Sequence, residues 1–245
     1  EGFRTDVRVM VLSYMNTDWY INQLRRPYYN SGAFRLTFTE KDYRQYGPND
    51  VLYVHETLKG SIDVAAYLRL LREEHPALTM LSGNGEPYHI LPSRSLRVVV
   101  NDTSSAGTVN EVAVARDSSA MMLNITQDYV SKNLLAILDL LVSNGWERPI
   151  YLNFTSLNAL GLDITPYVVQ EGPVFRLRRE RNNTEDVAVD TRLSYQNLLA
   201  TADYSNVQDS SVYFSYEDHF ARMVVPLRQS FNELAGSFLE GGDRT

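Results

Sequence analysis

The sequence contains no cysteine among its 245 residues, and this absence excludes several kinds of chemistry. Disulfide bonds, thiolate metal sites and cysteine nucleophiles all require the missing side chain. The absence fits a cytosolic and a periplasmic location equally well, so it does not choose a compartment. The four histidines, His55, His75, His89 and His219, lack the spacing of metal ligands. We therefore predict neither a metal site nor a cofactor.

Long apolar runs are also missing. The longest, residues 134–142, is interrupted by Asp139 and is far shorter than the roughly 20 residues that a membrane-spanning helix needs. We therefore expect this fragment to be soluble, although a parent chain could still be anchored in a membrane. The first residue is Glu1 and not Met, which indicates a processed chain or a piece of a longer protein.

Positive charge and catalytic signatures are both scarce. The formal net charge is −7 at pH 7, which argues against nucleic acid as a partner. The sequence has no Walker loop, no GxGxxG, HExxH or GxSxG pattern and no EF-hand, so the common signatures of nucleotide, metal and acyl chemistry are lacking. We accordingly assign no catalytic residue and no metal ligand.

The pattern of apolar residues predicts an α/β fold. Residues 7–12 read as a buried strand, and the polar residues after them begin a helix. A second unit of strand, helix and strand runs over residues 120–155, with Ser131 as the helix cap and Gly145 as the stop. This order implies parallel neighbours joined by a right-handed crossover. We therefore predict one central, largely parallel sheet with flanking helices in a Rossmann-like, three-layer arrangement.

Further elements follow from their local patterns. The predicted elements are strands at 34–38, 51–54 and 96–100, a helix at 62–75 capped by Ser61, a strand or hairpin at a sheet edge over 167–178 and a helix at 191–200. Ser215 caps a last amphipathic helical region, which Pro226 should kink. We predict an α/β domain over residues 1–212 and a C-terminal helical segment over residues 213–245, which could begin a series of tetratricopeptide-like repeats.

Polar and aromatic residues follow two of the predicted strands at their carboxyl ends. They are Asn16, Asp18, Trp19, Tyr20, Asn153 and Thr155. Because the carboxyl ends of parallel strands share one edge of a sheet, we expect these side chains to converge on one rim. Amide and carboxylate groups bind hydroxyls, and aromatic rings stack on apolar faces, so the rim predicts a sugar or polyol ligand. The alternative is structural, with Asn16 and Asp18 capping the helix and the two rings packing beneath it.

Three stretches carry a family resemblance. They are residues 4–26 (RTDVRVMVLSYMNTDWYINQLRR), 131–154 (SKNLLAILDLLVSNGWERPIYLNF) and 227–242 (LRQSFNELAGSFLEGG). The first resembles the segment after the last membrane helices in a large bacterial family of multispanning proteins, the protein O-mannosyltransferase-like family. The second is similar to that family's pattern of a helix, Asn-Gly and Trp-Glu-Arg-Pro-Ile-Tyr. The third resembles the point where the family passes into tetratricopeptide-like repeats.

The resemblance implies a non-catalytic domain at the periplasmic face of the inner membrane, in a parent that resembles glycosyltransferases using lipid-linked sugars. No catalytic residue carries over, because the membrane-embedded part is not in this sequence. The implied partners are that part of the same parent chain and an acceptor protein or glycan. Two alternatives stay open: a structural, protein-interaction module without a ligand site, and an independent sugar- or nucleotide-processing enzyme. The second lacks a phosphate loop, a metal set and a nucleophile signature.

Overall fold

The computed structural model describes residues 5–99, 120–184, 186–207, 209–213 and 215–240. The chain divides into two compact units. Unit 1 consists of residues 1–148 and 160–163, and unit 2 consists of residues 149–159 and 164–245. The chain therefore enters unit 2, returns briefly to unit 1 and then leaves it again. The boundary predicted at residue 212 lies inside unit 2, and that division stays a prediction.

The helices and strands are short, and we number them in chain order. The helices are α1 (Asp18–Leu24), α2 (Val64–Arg72), α3 (Lys132–Ser143), α4 (Phe154–Ala159), α5 (Thr191–Tyr195) and α6 (Val225–Glu240). The strands are β1 (Val51–Val54), β2 (Ile62–Asp63), β3 (Thr79–Leu81), β4 (Pro87–Leu91), β5 (Ser95–Val99), β6 (Ala120–Ile125), β7 (Tyr129–Ser131), β8 (Ile150–Leu152), β9 (Leu162–Asp163), β10 (Val168–Gln170), β11 (Phe175–Leu177) and β12 (Ala188–Val189). Across the described ranges, every helix is too short or too polar to cross a bilayer.

Unit 1 contains two four-stranded mixed sheets. Their strand orders are β3-β4-β1-β7 and β2-β5-β6-β9. The first holds one parallel pair, β1 with β4, and the second holds one, β2 with β5, whereas the other neighbours are antiparallel. In the longest ladder, Leu96 lies opposite Leu123 and Val98 opposite Met121. All four side chains are buried, so this register sets one layer of the unit 1 core.

Helices α2 and α3 contact each other and contribute further residues to this core. Their buried apolar residues recur at helical spacing: Val64, Tyr67, Leu68 and Leu71 on α2, and Leu134, Leu135, Leu138 and Leu141 on α3. Asp63 caps α2 by accepting the Ala66 N–H at 2.9 Å. The helix at 62–75 is confirmed, but its predicted cap at Ser61 is wrong, because Ile62 and Asp63 are used by strand β2.

Unit 2 contains a mixed sheet with the order β12-β10-β11-β8. β10 and β11 confirm the prediction of a strand or hairpin for residues 167–178, but both strands are central in the sheet and do not lie at its edge. Gly172 turns this hairpin with φ +90°, and a Cβ at this position would lie 2.8 Å from the Cβ of Asn197. Two stretches of π-helix, Gln196–Thr201 and Tyr216–Val224, follow α5 and precede α6. Pro226 stands just after the change from π- to α-helix, where an interruption was predicted.

The α/β class is confirmed, but the described strands do not form one central, largely parallel sheet. The predicted strand–helix–strand unit at 120–155 is wrong in its pairing, because β6 pairs antiparallel with β5 and β9, and β8 pairs with β11. The cause is β7, a strand of three residues that pairs with β1. It redirects the chain before α3 begins, and it is too short to show a period in the sequence.

Two predicted strands are absent from the described chain. Residues 7–12 and 34–38 form no strand, and Val7, Val9 and Val11 are 50%, 74% and 38% exposed. Their β-prone pattern has no described strand to pair with, and β-propensity is expressed through pairing and burial. The helix that follows residues 7–12 is confirmed as α1, with Asp18 in its first turn.

Some predictions lie outside the described residues. They are the last residue of the strand predicted at 96–100 and residues 241–245 of the predicted C-terminal helical segment. The rest of the strand at 96–100 is confirmed as β5, and the C-terminal helix is confirmed as α6.

Candidate functional site

The six predicted site residues fall in different units. Asn16, Asp18, Trp19 and Tyr20 belong to unit 1, whereas Asn153 and Thr155 belong to unit 2. Asn153 does follow a strand, β8, as predicted, but no strand precedes Asn16 among the described residues. Each group is therefore a candidate site of its own unit, and the convergence of the two groups on one rim stays a prediction.

Three aromatic rings form a contiguous surface at the start of α1, which we call the unit 1 aromatic cluster: Tyr14, Trp19 and Tyr20. The ring centroids of Tyr14 and Trp19 are 6.2 Å apart, and Tyr20 lies 5.6 Å from each of them. Trp19 is 58% exposed and Tyr14 is 53% exposed. A short 3₁₀ turn, Tyr14–Asn16, precedes α1 and brings Tyr14 beside the other two rings. The cluster therefore presents open aromatic faces to solvent.

Tyr20 also fixes the segment that precedes the cluster. Its hydroxyl accepts the Val11 N–H at 3.0 Å and donates to the Val9 carbonyl at 3.5 Å. The phenol thus replaces part of the missing strand pairing of residues 7–12. This contact leaves Trp19 and Tyr14 as the rings most available to a ligand.

The polar atoms beside the cluster are engaged with the backbone. Asn16 Oδ1 accepts the Asn133 N–H at 3.2 Å, in the first turn of α3. Asp18 Oδ1 accepts the Trp19 N–H at 2.7 Å, and Asp18 Oδ2 accepts the Gln45 N–H at 3.3 Å. These bonds satisfy backbone donors that α1, α3 and a turn would otherwise leave without partners. The exposed chemistry at this site is therefore aromatic more than it is polar.

Unit 1 has further aromatic residues that we did not predict, near Arg8. Arg8 stacks over the ring of Tyr28 at 5.2 Å and donates to the Gln23 carbonyl at 2.9 Å. Tyr28 and Tyr29 lie edge to face at 4.6 Å, and Tyr29 is 76% exposed. The available signal was compositional, since the chain has 16 tyrosines, but their exposure depends on the tertiary structure.

Asn153 and Thr155 line a cavity inside unit 2, which we call the unit 2 pocket. It has a volume of about 330 Å³ and four polar lining residues: Asn153, Thr155, His219 and Arg222. Its apolar wall includes Phe154, Pro173, Val207, Met223, Pro226 and Leu227. This volume is at the lower end of the ~300–1,000 Å³ of small-molecule sites. Sequence reasoning found Asn153 and Thr155 but missed His219 and Arg222, which lie more than sixty residues further along the chain.

The buried pair Asp139 and Tyr43 of unit 1 has a structural role. Asp139 is completely buried on α3 and accepts the Thr37 N–H at 2.8 Å, the Phe38 N–H at 3.1 Å and the Tyr43 hydroxyl at 2.8 Å. Burial raises the pKa of Tyr43 above its ordinary value, and the charge of Asp139 acts in the same direction. Tyr43 therefore remains a hydrogen-bond donor. Asp139 is buried and accepts hydrogen bonds from three donors, so it connects α3 to residues 37–43.

His89 is a second buried polar group. Its Nδ1 lies 2.7 Å from Asn49 Oδ1, and burial lowers its pKa while Glu74 acts in the opposite direction. Nδ1 must carry the proton in this contact, because an amide oxygen can only accept. Among the described residues, no three histidine or acidic side chains are grouped as they would be around a metal ion.

Comparison with protein families identifies a relative of this chain. A family model described as TMEM260-associated domain 2 matches residues 1–196, which is most of the 245-residue chain. The match spans all of unit 1 and the first part of unit 2. Neither the curated proteins nor the solved structures give a significant match to this chain.

Proposed function

This chain belongs to the TMEM260-associated domain 2 family, and on that premise we propose that it is a non-catalytic accessory domain of a larger membrane protein. The parent resembles protein O-mannosyltransferases, and the domain faces the periplasm. It assists recognition of the glycan or of the acceptor protein. The family description supports an association with a membrane protein, and the three stretches that resemble the protein O-mannosyltransferase-like family support the periplasmic placement.

The unit 1 aromatic cluster is the observation that carries this proposal. Trp19 and Tyr14 keep more than half of their surface exposed although they contact each other. Large aromatic side chains usually contribute to a core, so exposed rings held in a fixed arrangement favour a binding role. The apolar face of a pyranose can stack on such a ring, and the ordered helix start keeps the rings in position.

An NMR titration with methyl α-mannoside tests the proposal directly. The chain has two tryptophans, Trp19 and Trp146, so its spectrum contains two indole N–H signals. We expect the Trp19 signal to shift with increasing mannoside and the Trp146 signal to remain in place. Trp19→Ala should weaken binding by up to about tenfold. Tyr46→Ala is the matched control, because Tyr46 is 91% exposed and lies outside the cluster.

A second candidate function is a structural, protein-interaction module. The engagement of the Asn16 and Asp18 oxygens with backbone N–H groups favours it, since capping alone accounts for those residues. In this case α6 would start the interacting part, as the predicted tetratricopeptide-like continuation implies. A Trp19 signal that stays in place with mannoside and with Ser/Thr-rich acceptor peptides, in a folded chain, would contradict glycan recognition and support the module.

A further inference from the structure

The unit 2 pocket is lined by one permanently charged side chain, Arg222, whose charge is opposite in sign to the net charge of the chain. The chain carries a formal charge of −7, yet the pocket lining contains Arg222 and His219 and no acidic residue. A cavity lined by one sign of charge with apolar walls attracts ligands of the opposite sign. The electrostatic character of the pocket therefore favours an anion.

Most of the pocket wall is apolar. Phe154, Met223 and Leu227 contribute a ring, a thioether and an aliphatic side chain, and Pro173 and Pro226 add rigid apolar surface. An apolar group that binds against such a wall is removed from water, and this transfer is favourable. An anion small enough to be all charge would leave this surface unused. The ligand should therefore carry an apolar body as well as a charge.

Arg222 is the group that can hold the charge. Its only described ion pair is with Asp218, at 3.8 Å, and the two side chains are 75% and 71% exposed. An exposed pair of this kind contributes little energy, so the guanidinium can turn to a ligand at small cost. A guanidinium binds carboxylate or phosphate through two parallel N–H donors, which makes it selective for these groups.

The helix that carries Arg222 is held in an uncommon conformation. Residues 216–224 form a π-helix, and Ser215 begins it by accepting the Asp218 N–H at 3.1 Å. His219 Nδ1 accepts the Ser215 N–H at 3.1 Å, which fixes the imidazole in the pocket wall. π-Helical segments are rare and are frequent at functional sites. The π-turn brings His219, Arg222 and Met223 into one wall.

Asn153 adds an amide side chain to the lining from the position between β8 and α4. Its Oδ1 accepts the Ser156 N–H at 2.7 Å, so the amide orientation is fixed and the nitrogen, which can only donate, remains on the other side of the group. Thr155 adds a hydroxyl to the same lining. Both side chains can support an anion that Arg222 binds.

We propose that the unit 2 pocket binds an amphiphilic organic anion. Arg222 binds its carboxylate or phosphate, and Phe154, Met223 and Leu227 contact its apolar chain. This site and its ligand class are independent of the glycan recognition proposed for unit 1, since they involve none of the residues of the aromatic cluster.

Calorimetric titration of the whole 245-residue chain with sodium decanoate and with decyl phosphate tests this proposal. Decanol, which lacks the charge, and acetate, which lacks the chain, serve as ligand controls. We expect both amphiphilic anions to bind and both controls to bind at least about tenfold more weakly. Preference for one of the two anions identifies the head group as carboxylate or phosphate.

Variants locate the binding. Arg222→Gln should weaken decanoate binding by about tenfold or more. Arg228→Gln makes the same charge change on an exposed residue of α6 outside the pocket lining and should leave binding unchanged. Met223→Glu adds a negative charge at a side chain that is 62% exposed, so the fold should tolerate it while anion binding is lost.

Three results would overturn the proposal. The first is no heat of binding with either anion for a folded chain. The second is an equal loss in Arg222→Gln and Arg228→Gln, which would indicate a general charge effect. The third is decanol binding as tightly as decanoate, which would indicate an apolar surface without anion recognition. None of these results bears on the Trp19 titration, so the two proposals fail separately.

Discussion

Replacing Asp139 by alanine should destabilise unit 1 by about 4 kcal/mol. The change removes the acceptor for three donors: the Phe38 N–H, the Tyr43 hydroxyl and the Thr37 N–H. Phe38 and Tyr43 are buried, and each buried donor left without a partner costs about 1–3 kcal/mol. Thr37 is half-buried and can recover a bond to water. Two buried donors at about 2 kcal/mol each therefore account for the estimate.

Tyr43→Phe is the comparison that separates the contributions. It removes one hydrogen bond to a charged group, at 2.8 Å, and leaves Asp139 with its two backbone donors, so we expect a loss of about 2 kcal/mol. In the double variant the hydroxyl is no longer present to be left without a partner. Only the Phe38 N–H then lacks a partner, so the double variant should lose about 2 kcal/mol in all, about 4 kcal/mol less than the sum of the two single changes.

Urea unfolding followed by tryptophan fluorescence measures these changes. Both tryptophans, Trp19 and Trp146, lie in unit 1, so the signal reports this unit alone. The reasoning is refuted if Asp139→Ala costs less than about 1 kcal/mol, which would mean that the three donors find other partners. Additive single and double variants would also refute it, because they would show that Asp139 and Tyr43 do not interact.

Two other predictions concern backbone shape and pH. Gly172→Ala should destabilise unit 2 by more than about 1 kcal/mol, because the residue has φ +90° and the added Cβ would meet Asn197 at 2.8 Å. Gly236→Ala meets no atom within 4 Å and should stabilise α6 by about 1 kcal/mol; hydrogen exchange of the β10 and α6 amides measures both. Because the folded pKa of His89 lies below 6.5, the unfolded chain binds a proton that the folded chain does not as pH falls below 6.5, and unit 1 should lose stability there. In His89→Gln, urea midpoints between pH 5 and pH 7 should change less; an unchanged slope would show that His89 is not the responsible group.

The sequence predicts the elements whose signals are local. Helix α3 follows from the spacing of its leucines, and its end follows from Gly145, which has φ +60° just after the helix. The cap at Ser215 also follows from neighbours in the sequence, because the donor that it satisfies is only three residues away, at Asp218. Such patterns depend on few residues that are close in the sequence, so a single sequence can show them.

Strand pairing could not be predicted in the same way. β6 could pair with β8 across α3, and the periodicity of both strands fits that arrangement. The structure instead places β7 between β6 and α3, and its pairing with β1 joins residues about eighty positions apart. The pairing of strands depends on side chains that pack together in the folded chain although they are far apart in the sequence. The periodicity within one strand therefore does not indicate its neighbours.

The candidate sites also combine features with a local signal in the sequence and features that depend on the tertiary structure. Trp19 and Tyr20 are conspicuous in the sequence, but the exposure of Trp19 depends on whether other parts of the folded chain cover it. The convergence of Asn153 on a shared rim stays a prediction, and the structure shows that Asn153 and Arg222 both line a cavity of unit 2. A pocket built from residues about seventy positions apart leaves no pattern in a single sequence.

The return of the chain to unit 1 at β9 determines the order in which the protein can fold during synthesis. β9 completes a sheet of unit 1 by pairing Leu162 with Ile125 and Asp163 with Asn124. The ribosome has by then already made β8 and α4, which belong to unit 2. Until residue 163 has emerged, β6 lacks its partner β9, and one edge of its sheet is unpaired. In the same way, β8 of unit 2 lacks its partner until β11 has been made. A nascent chain that pauses before residue 160 exposes an unpaired β6, and such edges favour association with other chains.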